Sequence, residues 1–165
     1  MSIYPPVTSL IPHRPPMALL AQLLSVSDET LRAQALISPD CIFFDAAIDG
    51  VGAWLGIEYM AQAIAAFEGY WSLQRNEEIK VGLLLGSRHY ESHCAHFAAD
   101  SILHIDVHRV LQHENGLGAF DCRISDAGDQ RLLAQATVTV FKPDNVQDFL
   151  NGSTATQNMM GNGVQ

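Results

Sequence analysis

The sequence is poor in basic residues and in cysteine. Only 9 Lys and Arg accompany 18 Asp and Glu, which gives the 165-residue chain a formal net charge of -9. A chain this acidic lacks the positive footprint of nucleic-acid-binding proteins, so we expect no nucleic-acid partner. The three cysteines are odd in number and lack CxxC spacing, which argues against a disulfide framework and a zinc knuckle. Prolines stand where a signal peptide would need an apolar run, and we therefore expect a cytoplasmic protein.

One apolar segment, residues 50–74, is long enough to raise the question of a membrane span. Residues 53–74 would form a helix about 33 Å long at 1.5 Å per residue. Three polar side chains, Glu58, Gln62 and Glu68, interrupt its apolar surface. A carboxylate well inside a bilayer costs about 2.5–3.5 kcal/mol. The segment therefore predicts a helix buried inside a sheet, and we expect no membrane partner.

The segments on either side of this helix have the alternating pattern of strands. We expect residues 38–52 to form a loop and the end of the chain, residues 143–165, to be a flexible tail. The result is a single α+β domain over residues 1–142, in which a curled antiparallel sheet wraps one helix. An edge strand of such a sheet would be covered in a two-fold dimer. The predicted strands are residues 17–26, 30–37, 80–91, 102–110, 119–124 and 133–141.

The predicted helix carries one acid whose position needs an explanation. Burial disfavours the ionised form of a carboxylate, so we expect Glu58 to be paired, solvated by a cleft or used in chemistry. Gln62 follows four residues later on the same helical face, where its amide can orient the Glu58 carboxyl. The spacing fits an active site, and it also fits a structural hydrogen bond that closes an irregular loop.

The start of the helix is a second candidate for chemistry. Asp49 is predicted to cap the helix, and the glycines of residues 50–52 leave the first backbone N–H groups open. The positive end of the helix dipole then favours an anion or a carbonyl oxygen that becomes negative. The third glycine of a GxGxxG motif is missing, so the sequence does not indicate a dinucleotide site, and we expect no cofactor.

Three segments together resemble the β-hydroxyacyl-acyl-carrier-protein dehydratases of the hotdog fold. Residues 10–17, LIPHRPPM, resemble the L-P-H-R-x-P start of that family. Residues 54–62, WLGIEYMAQ, resemble its central helix, in which an acid is followed four positions later by glutamine. Residues 86–90, GSRHY, stand where the family has its post-helix strand. The likeness covers residues 8–142 and is greatest to dehydratases of aryl polyene pigment clusters. It implies a hotdog fold, a homodimer or a heterodimer with a related hotdog subunit, and acyl-carrier protein as partner.

The resemblance implies a dehydratase site, with one departure from the common pattern. A loop histidine usually partners the helix acid, but residues 43–51 contain no histidine. We therefore expect His13 to act as the base, because imidazole titrates near neutrality. Glu58, kept protonated by burial, is expected to serve the departing hydroxyl. The base could instead be His89 or His93, or the chain could be an inactive relative.

The remaining site residues follow from the chemistry of dehydration, which needs donors that polarise the thioester oxygen. We expect the backbone N–H groups at Gly52, Ala53 and Trp54 to hold the thioester carbonyl, with Gln62 as a further contact. Acyl-carrier protein is acidic, so its docking would require basic side chains to cluster. The candidates are Arg14, Arg75, Lys80, Arg88 and Arg109.

Two other functions share this fold and these residues. A buried carboxylate and a helix start can also activate water, which would make the protein an acyl thioesterase. A non-catalytic hotdog subunit would bind acyl chains or stabilise a partner enzyme. Two polar strand faces, residues 89–93 and residues 104–108, have metal-ligand spacing. We interpret the second set as solvent-facing side chains and expect no metal.

Overall fold

The long helix predicted from the sequence forms the centre of the fold. The computed structural model describes residues 2–144, so most of the predicted tail, residues 145–165, lies outside the described residues. The helix α1 spans Gly56–Gln74 and follows a 3-10 turn at Ala53–Leu55. Its largest fully buried side chains are Tyr59 and Phe67. Burial of the apolar face, rather than a side-chain cap, therefore stabilises this helix.

A six-stranded antiparallel sheet wraps around one side of α1. In spatial order its strands are β1 Gln22–Val26, β2 Thr30–Leu36, β7 Ile102–Gln112, β8 Leu117–Asp126, β9 Leu132–Phe141 and β5 Leu83–Ser92, which places β5 at an edge. Alternate residues of the central strands, such as Leu103, Ile105 and Val107 of β7, are buried and form the core with the helix. The predicted α+β class is thus confirmed.

A second, small sheet contradicts the prediction that residues 38–52 form only a loop. It comprises β3 Phe44–Asp45, β4 Gly50–Gly52 and β6 His96–Ala98, in the order β3-β4-β6. A Cβ at Gly50 would lie 2.2 Å from the carbonyl oxygen of Phe97, so this glycine permits close approach of two strands. The glycine-rich run belongs to a strand rather than to an open helix start.

The N-terminal segment crosses α1 in close contact. A 3-10 turn at Val7–Ser9 leads to the buried residues Leu10 and Ile11. A Cβ at Gly69 would lie 1.9 Å from the carbonyl oxygen of Leu10, so only glycine allows the two backbones to meet there. This contact holds the segment against the helix just before it reaches His13.

Candidate active site

Gln62 connects the helix to the segment before β1. Its side chain is fully buried, and its Nε2 donates to Glu58 Oε1 at 2.9 Å and to the carbonyl oxygen of Met17 at 2.8 Å. Its Oε1 accepts a hydrogen bond from the backbone N–H of Leu19 at 2.9 Å. Because both ends of the amide are engaged, the Gln62 side chain has one orientation and fixes one oxygen of Glu58.

His13 stands beside the carboxyl group that Gln62 orients. Its Nε2 lies 3.5 Å from Glu58 Oε1, and the two side chains are 29% and 30% exposed. Glu58 is therefore less buried than we expected from the apolar helix, since it faces an opening. Arg14 Nη1 donates to the carbonyl oxygens of Ile11 at 2.9 Å and His13 at 2.8 Å, which braces the local backbone. His13 Nδ1 is buried and has no hydrogen-bond partner among residues 2–144.

An elongated cavity of about 160 Å³ extends along α1 from this pair, and we name it the α1 cavity. Glu58, Ala61, Ala65 and Glu68 line it at helical spacing, so they form one stripe along the helix. At 1.5 Å per residue, the stripe from Glu58 to Glu68 covers about 15 Å. The middle of the cavity is apolar, with walls that include Ile64, Leu84 and Val140. Its apolar lining along the helix suits an acyl chain.

The far end of the α1 cavity is polar. Lys142 Nζ donates to Glu68 Oε2 at 2.9 Å, and the side chains of Lys142 and Glu68 are 24% and 20% exposed. Gly116 and Gln112 also reach this end of the cavity. We did not identify Lys142 from the sequence. The available signal was the second helix acid, Glu68, because a partly buried carboxylate needs a cation or donors.

The residues at the helix start are arranged differently from the prediction. The N-cap of α1 is Leu55, so the prediction that Asp49 caps the helix is wrong. The Ala53 N–H donates to the carbonyl oxygen of Ala95 at 3.1 Å, and Trp54 is 69% exposed. Among the described residues that line the α1 cavity, none comes from the predicted donor set Gly52, Ala53 and Trp54. The structure thus brings together His13, Glu58 and Gln62, whereas the predicted donor set does not line the same cavity.

Tyr90 occupies the space beside the first turn of α1. Its hydroxyl donates to the carbonyl oxygen of Ala53, and a Cβ at Gly56 would lie 2.1 Å from that hydroxyl. Burial raises the pKa of Tyr90 to about 12, so the phenol stays neutral at physiological pH. The left-handed backbone at His89, with φ of 56°, lies within an irregularity between Arg88 and Glu91. This irregularity allows Tyr90 to be more buried than its neighbours in β5.

The other candidate histidines lie away from Glu58. His89 and His93 are exposed, and neither lines the α1 cavity. His89 lies instead in a groove with Asp121 and Arg123. Within residues 2–144, no group of three or more His, Cys, Asp or Glu side chains is placed to hold a metal ion. Of the three histidines that we considered, His13 alone is in contact with the helix acid.

The fold and this site define a hotdog-fold protein with an acid and an amide on its central helix. The sequence profile of the ApeP-like family, described as ApeP dehydratase, matches residues 5–151. The chain belongs to the ApeP-like dehydratase family. This match confirms the predicted hydro-lyase class and the predicted relation to dehydratases of aryl polyene synthesis.

Solved structures support the same assignment. The chain is similar to a chain of the dehydratase heterocomplex ApeI:P from Xenorhabdus doucetiae, with 32% identity and a TM-score of 0.82. That similarity covers 90% of this chain and 97% of the other. No curated protein sequence matches this chain. Within residues 2–144, the structure contains no helix with the length and apolarity needed to cross a membrane.

Two more distant structures share the fold alone. A hypothetical thioesterase from Streptococcus pneumoniae, solved with coenzyme A, is 17% identical with a TM-score of 0.56, covering 73% of this chain and 84% of its own. The E. coli PaaI protein is 11% identical with a TM-score of 0.57, covering 73% and 82%. At these identities the likeness supports the hotdog architecture and does not indicate thioester hydrolysis.

Proposed function

We propose that this chain removes water from 3-hydroxyacyl groups carried by acyl-carrier protein and forms trans-2-enoyl thioesters in aryl-polyene-type synthesis. The observation that carries the proposal is the position of His13 and Glu58 at one end of the apolar α1 cavity. An acyl chain lying in that cavity would place its C2 and C3 carbons beside the two side chains. The family assignment supports the same reaction class.

The reaction needs a base for the C2 proton and an acid for the C3 hydroxyl. In our proposal His13 takes the proton from C2, the C2–C3 double bond forms, and the C3–O bond breaks. Glu58 gives its proton to the departing hydroxyl, which leaves as water. The proton on His13 then returns to Glu58 Oε2 through solvent, because the two side chains are 29% and 30% exposed and approach to 3.5 Å at His13 Nε2 and Glu58 Oε1. Each turnover would thus restore both side chains.

The hydrogen bond from Gln62 determines which oxygen of Glu58 is available. Gln62 Nε2 donates to Oε1, so a proton on the Glu58 carboxyl group is better placed on Oε2. Oε2 would then serve the substrate hydroxyl, and Gln62 would act as a positioning residue. For the thioester carbonyl, the donors left in the proposal are the N–H groups of Gly52 and Trp54, since that of Ala53 is engaged.

We further propose that a second hotdog subunit, identical or related, pairs along β5. This strand is at the edge of the main sheet and is mostly exposed. Val81, Leu84 and Leu85 in and beside it are 45%, 45% and 55% exposed, which is unfavourable for an isolated edge. The similar chain from Xenorhabdus doucetiae was solved in a heterocomplex.

The paired state can be tested with one substitution in β5. Native mass spectrometry should detect a dimer of the wild-type chain, and Leu85→Lys should shift it to monomer, because a charge cannot be buried there without a partner. Leu73→Lys, at an exposed position near the end of α1, is the matched control and should stay dimeric. If the wild-type chain is monomeric, pairing between identical chains is excluded, and pairing with a related hotdog subunit remains.

Docking of acyl-carrier protein is proposed to use Arg14 and Lys80. Arg14 is exposed beside His13, and Lys80 lines the α1 cavity. Of the other basic candidates, Arg75 and Arg88 do not line the α1 cavity, and Arg109 lies over the ring of Phe67 at 5.3 Å. With a net charge of -9, the chain would need such local positive charges to receive an acidic carrier.

The product of the reaction tests the function. Purified protein is incubated with a 3-hydroxyacyl-acyl-carrier protein, and the carrier is analysed by intact mass spectrometry. We expect loss of one water with the wild type and no loss with Glu58→Gln. Release of free acid would assign thioester hydrolysis instead. An unchanged carrier, both alone and with a related hotdog subunit present, would favour a binding subunit.

A further inference from the structure

The α1 cavity has a second ion pair whose role the proposed chemistry does not explain. Glu68 is the last member of the cavity-lining stripe of α1, and Lys142 follows directly after β9. Their contact at 2.9 Å joins the helix to the end of the sheet across the far end of the cavity. Removing either partner would leave a partly buried charge without compensation.

The backbone of Lys142 is held in place independently of this ion pair. Its N–H donates to the carbonyl oxygen of Gly116 at 2.9 Å. Gly116 has φ of 94°, and a Cβ there would lie 2.2 Å from the carbonyl oxygen of Lys142. The hairpin between β7 and β8 thus fixes the start of the Lys142 side chain. Lys80 is engaged separately, with Asp144 at 3.0 Å, so it does not compete for Glu68.

We infer that the Glu68–Lys142 ion pair is the stop of the acyl-binding cavity and sets the longest acyl chain that the protein accepts. The inference rests on the proposed function, because it assumes that an acyl group occupies the cavity. About 15 Å separates the Glu58 and Glu68 positions along α1. An extended chain advances about 1.2 Å per bond, so about 12 bonds reach the pair. A longer chain must either fold back or displace two hydrogen-bonded charges.

This arrangement predicts how affinity depends on chain length. Each methylene that enters an apolar cavity raises the affinity about fourfold, from about 0.8 kcal/mol per buried CH₂. The gain continues while the chain runs along Ala61, Ile64 and Ala65. It ends at the ion pair, because a methyl group next to a hydrogen-bonded carboxylate and ammonium displaces water without replacing its contacts.

The test measures binding of saturated acyl-pantetheine amides of increasing length by calorimetry, so that no turnover is needed. In the wild type, the logarithm of Kd should fall steadily and then level off at about 12 bonds from the reacting carbons. In Glu68→Ala/Lys142→Ala both charges are absent, and the fall should continue by about fourfold for each further methylene. The charge exchange Glu68→Lys/Lys142→Glu restores the pair and should restore the limit.

A matched control separates the stop from a general effect of ion pairs. Arg75 and Glu77 form an exposed pair at 3.0 Å beyond the end of α1, and neither lines the α1 cavity. Arg75→Ala/Glu77→Ala should keep the wild-type dependence on length. An unchanged length limit in the Glu68→Ala/Lys142→Ala protein, or no binding of any analogue by the wild type, would overturn the inference.

The proposed function and this inference can fail separately. A length limit that depends on the ion pair, together with no loss of water from the 3-hydroxyacyl carrier, would contradict the dehydratase and leave the stop in place. If the wild type dehydrates the carrier but the double alanine variant keeps the wild-type dependence of Kd on chain length, the inference about the ion pair fails and the dehydratase remains.

Discussion

The two ends of the α1 cavity contain the same kind of group in two different settings. At each end a glutamate of α1 meets a nitrogen from a flanking segment: Glu58 meets His13, and Glu68 meets Lys142. The near contact is 3.5 Å with an imidazole, and the far contact is 2.9 Å with an ammonium group. In addition, Gln62 fixes one oxygen of Glu58.

The difference indicates what each end can do. The lysine side chain is an ammonium cation with donors only, so the contact of Lys142 with Glu68 is a static ion pair. A neutral imidazole has one nitrogen that accepts a proton and one that donates it, so a contact between histidine and a carboxyl group can exchange a proton. A carboxyl group that is oriented by an amide and faces an imidazole suits chemistry, whereas a carboxyl group that is held by an ammonium group suits a fixed end of the cavity. The following changes test that distinction, from the largest expected effect to the smallest.

Glu58→Gln should have the largest effect on turnover. It removes the proposed acid while keeping a similar shape, and we expect kcat to fall by about 10²–10⁴-fold. Glu68→Gln is the matched variant at the far end and should leave kcat for a short substrate within a few-fold of the wild type. Steady-state rates with a short 3-hydroxyacyl carrier measure both. Equal losses in the two variants would remove the functional difference between the ends.

His13→Ala should reduce kcat by about 10²-fold, at the lower end of the usual range for a general base. The proposed base is absent in this variant, although water in the vacated space can take the proton more slowly. His89→Ala and His93→Ala are controls on exposed histidines that do not line the α1 cavity. Turnover unchanged in His13→Ala and lost in one of the controls would assign the base to the other histidine.

Gln62→Met should affect both stability and turnover. Methionine keeps the approximate shape but removes the hydrogen-bond partners of the Leu19 N–H and the Met17 carbonyl. Because both hydrogen bonds are partly buried, we expect a loss of about 1–3 kcal/mol in the free energy of unfolding. Without the bond to Glu58, a misplaced carboxyl group should cost up to about 10²-fold in kcat. Urea unfolding and rates measured well below the midpoint separate the two effects. A destabilised protein with full activity would make Gln62 structural only.

Much of this arrangement was predictable from the sequence. The long apolar run predicted α1, and the spacing of Glu58 and Gln62 on one helical face predicted their contact. The alternating pattern predicted the long strands of the main sheet. These features depend on local periodicity, which a single sequence contains.

Other features were not predictable, because they depend on contacts between distant segments. The glycines of residues 50–52 suit a tight loop, an open helix start or a close strand pair. Only the approach of Phe97 to Gly50 decides among these. Lys142 follows β9 without any local pattern, and its role depends on the position of Glu68 across the cavity. Likewise, Gln62 bonds to backbone groups of Met17 and Leu19, which leave no mark in the sequence.

Gly69→Ala should have the smallest effect on turnover of the four changes. It acts on stability, through the contact of α1 with the N-terminal segment that carries His13. An alanine usually stabilises a helix interior by about 1 kcal/mol relative to glycine. Here its Cβ would lie 1.9 Å from the Leu10 carbonyl oxygen, so we expect the free energy of unfolding to fall by about 1–3 kcal/mol.

Gly82→Ala is the control for Gly69, because a Cβ at Gly82 has no neighbour within 4 Å. It should change the urea midpoint little. A stabilised Gly69→Ala protein would contradict the close crossing of the N-terminal segment over α1.

The most direct test of the central claim, that His13 and Glu58 act together, is a double-mutant cycle on kcat/KM. Residues that act as a unit have strongly non-additive effects. The account predicts that His13→Ala/Glu58→Gln loses no more activity than Glu58→Gln alone. If the two losses multiply in the double variant, the side chains act independently, and the proposed exchange of a proton between them would be contradicted.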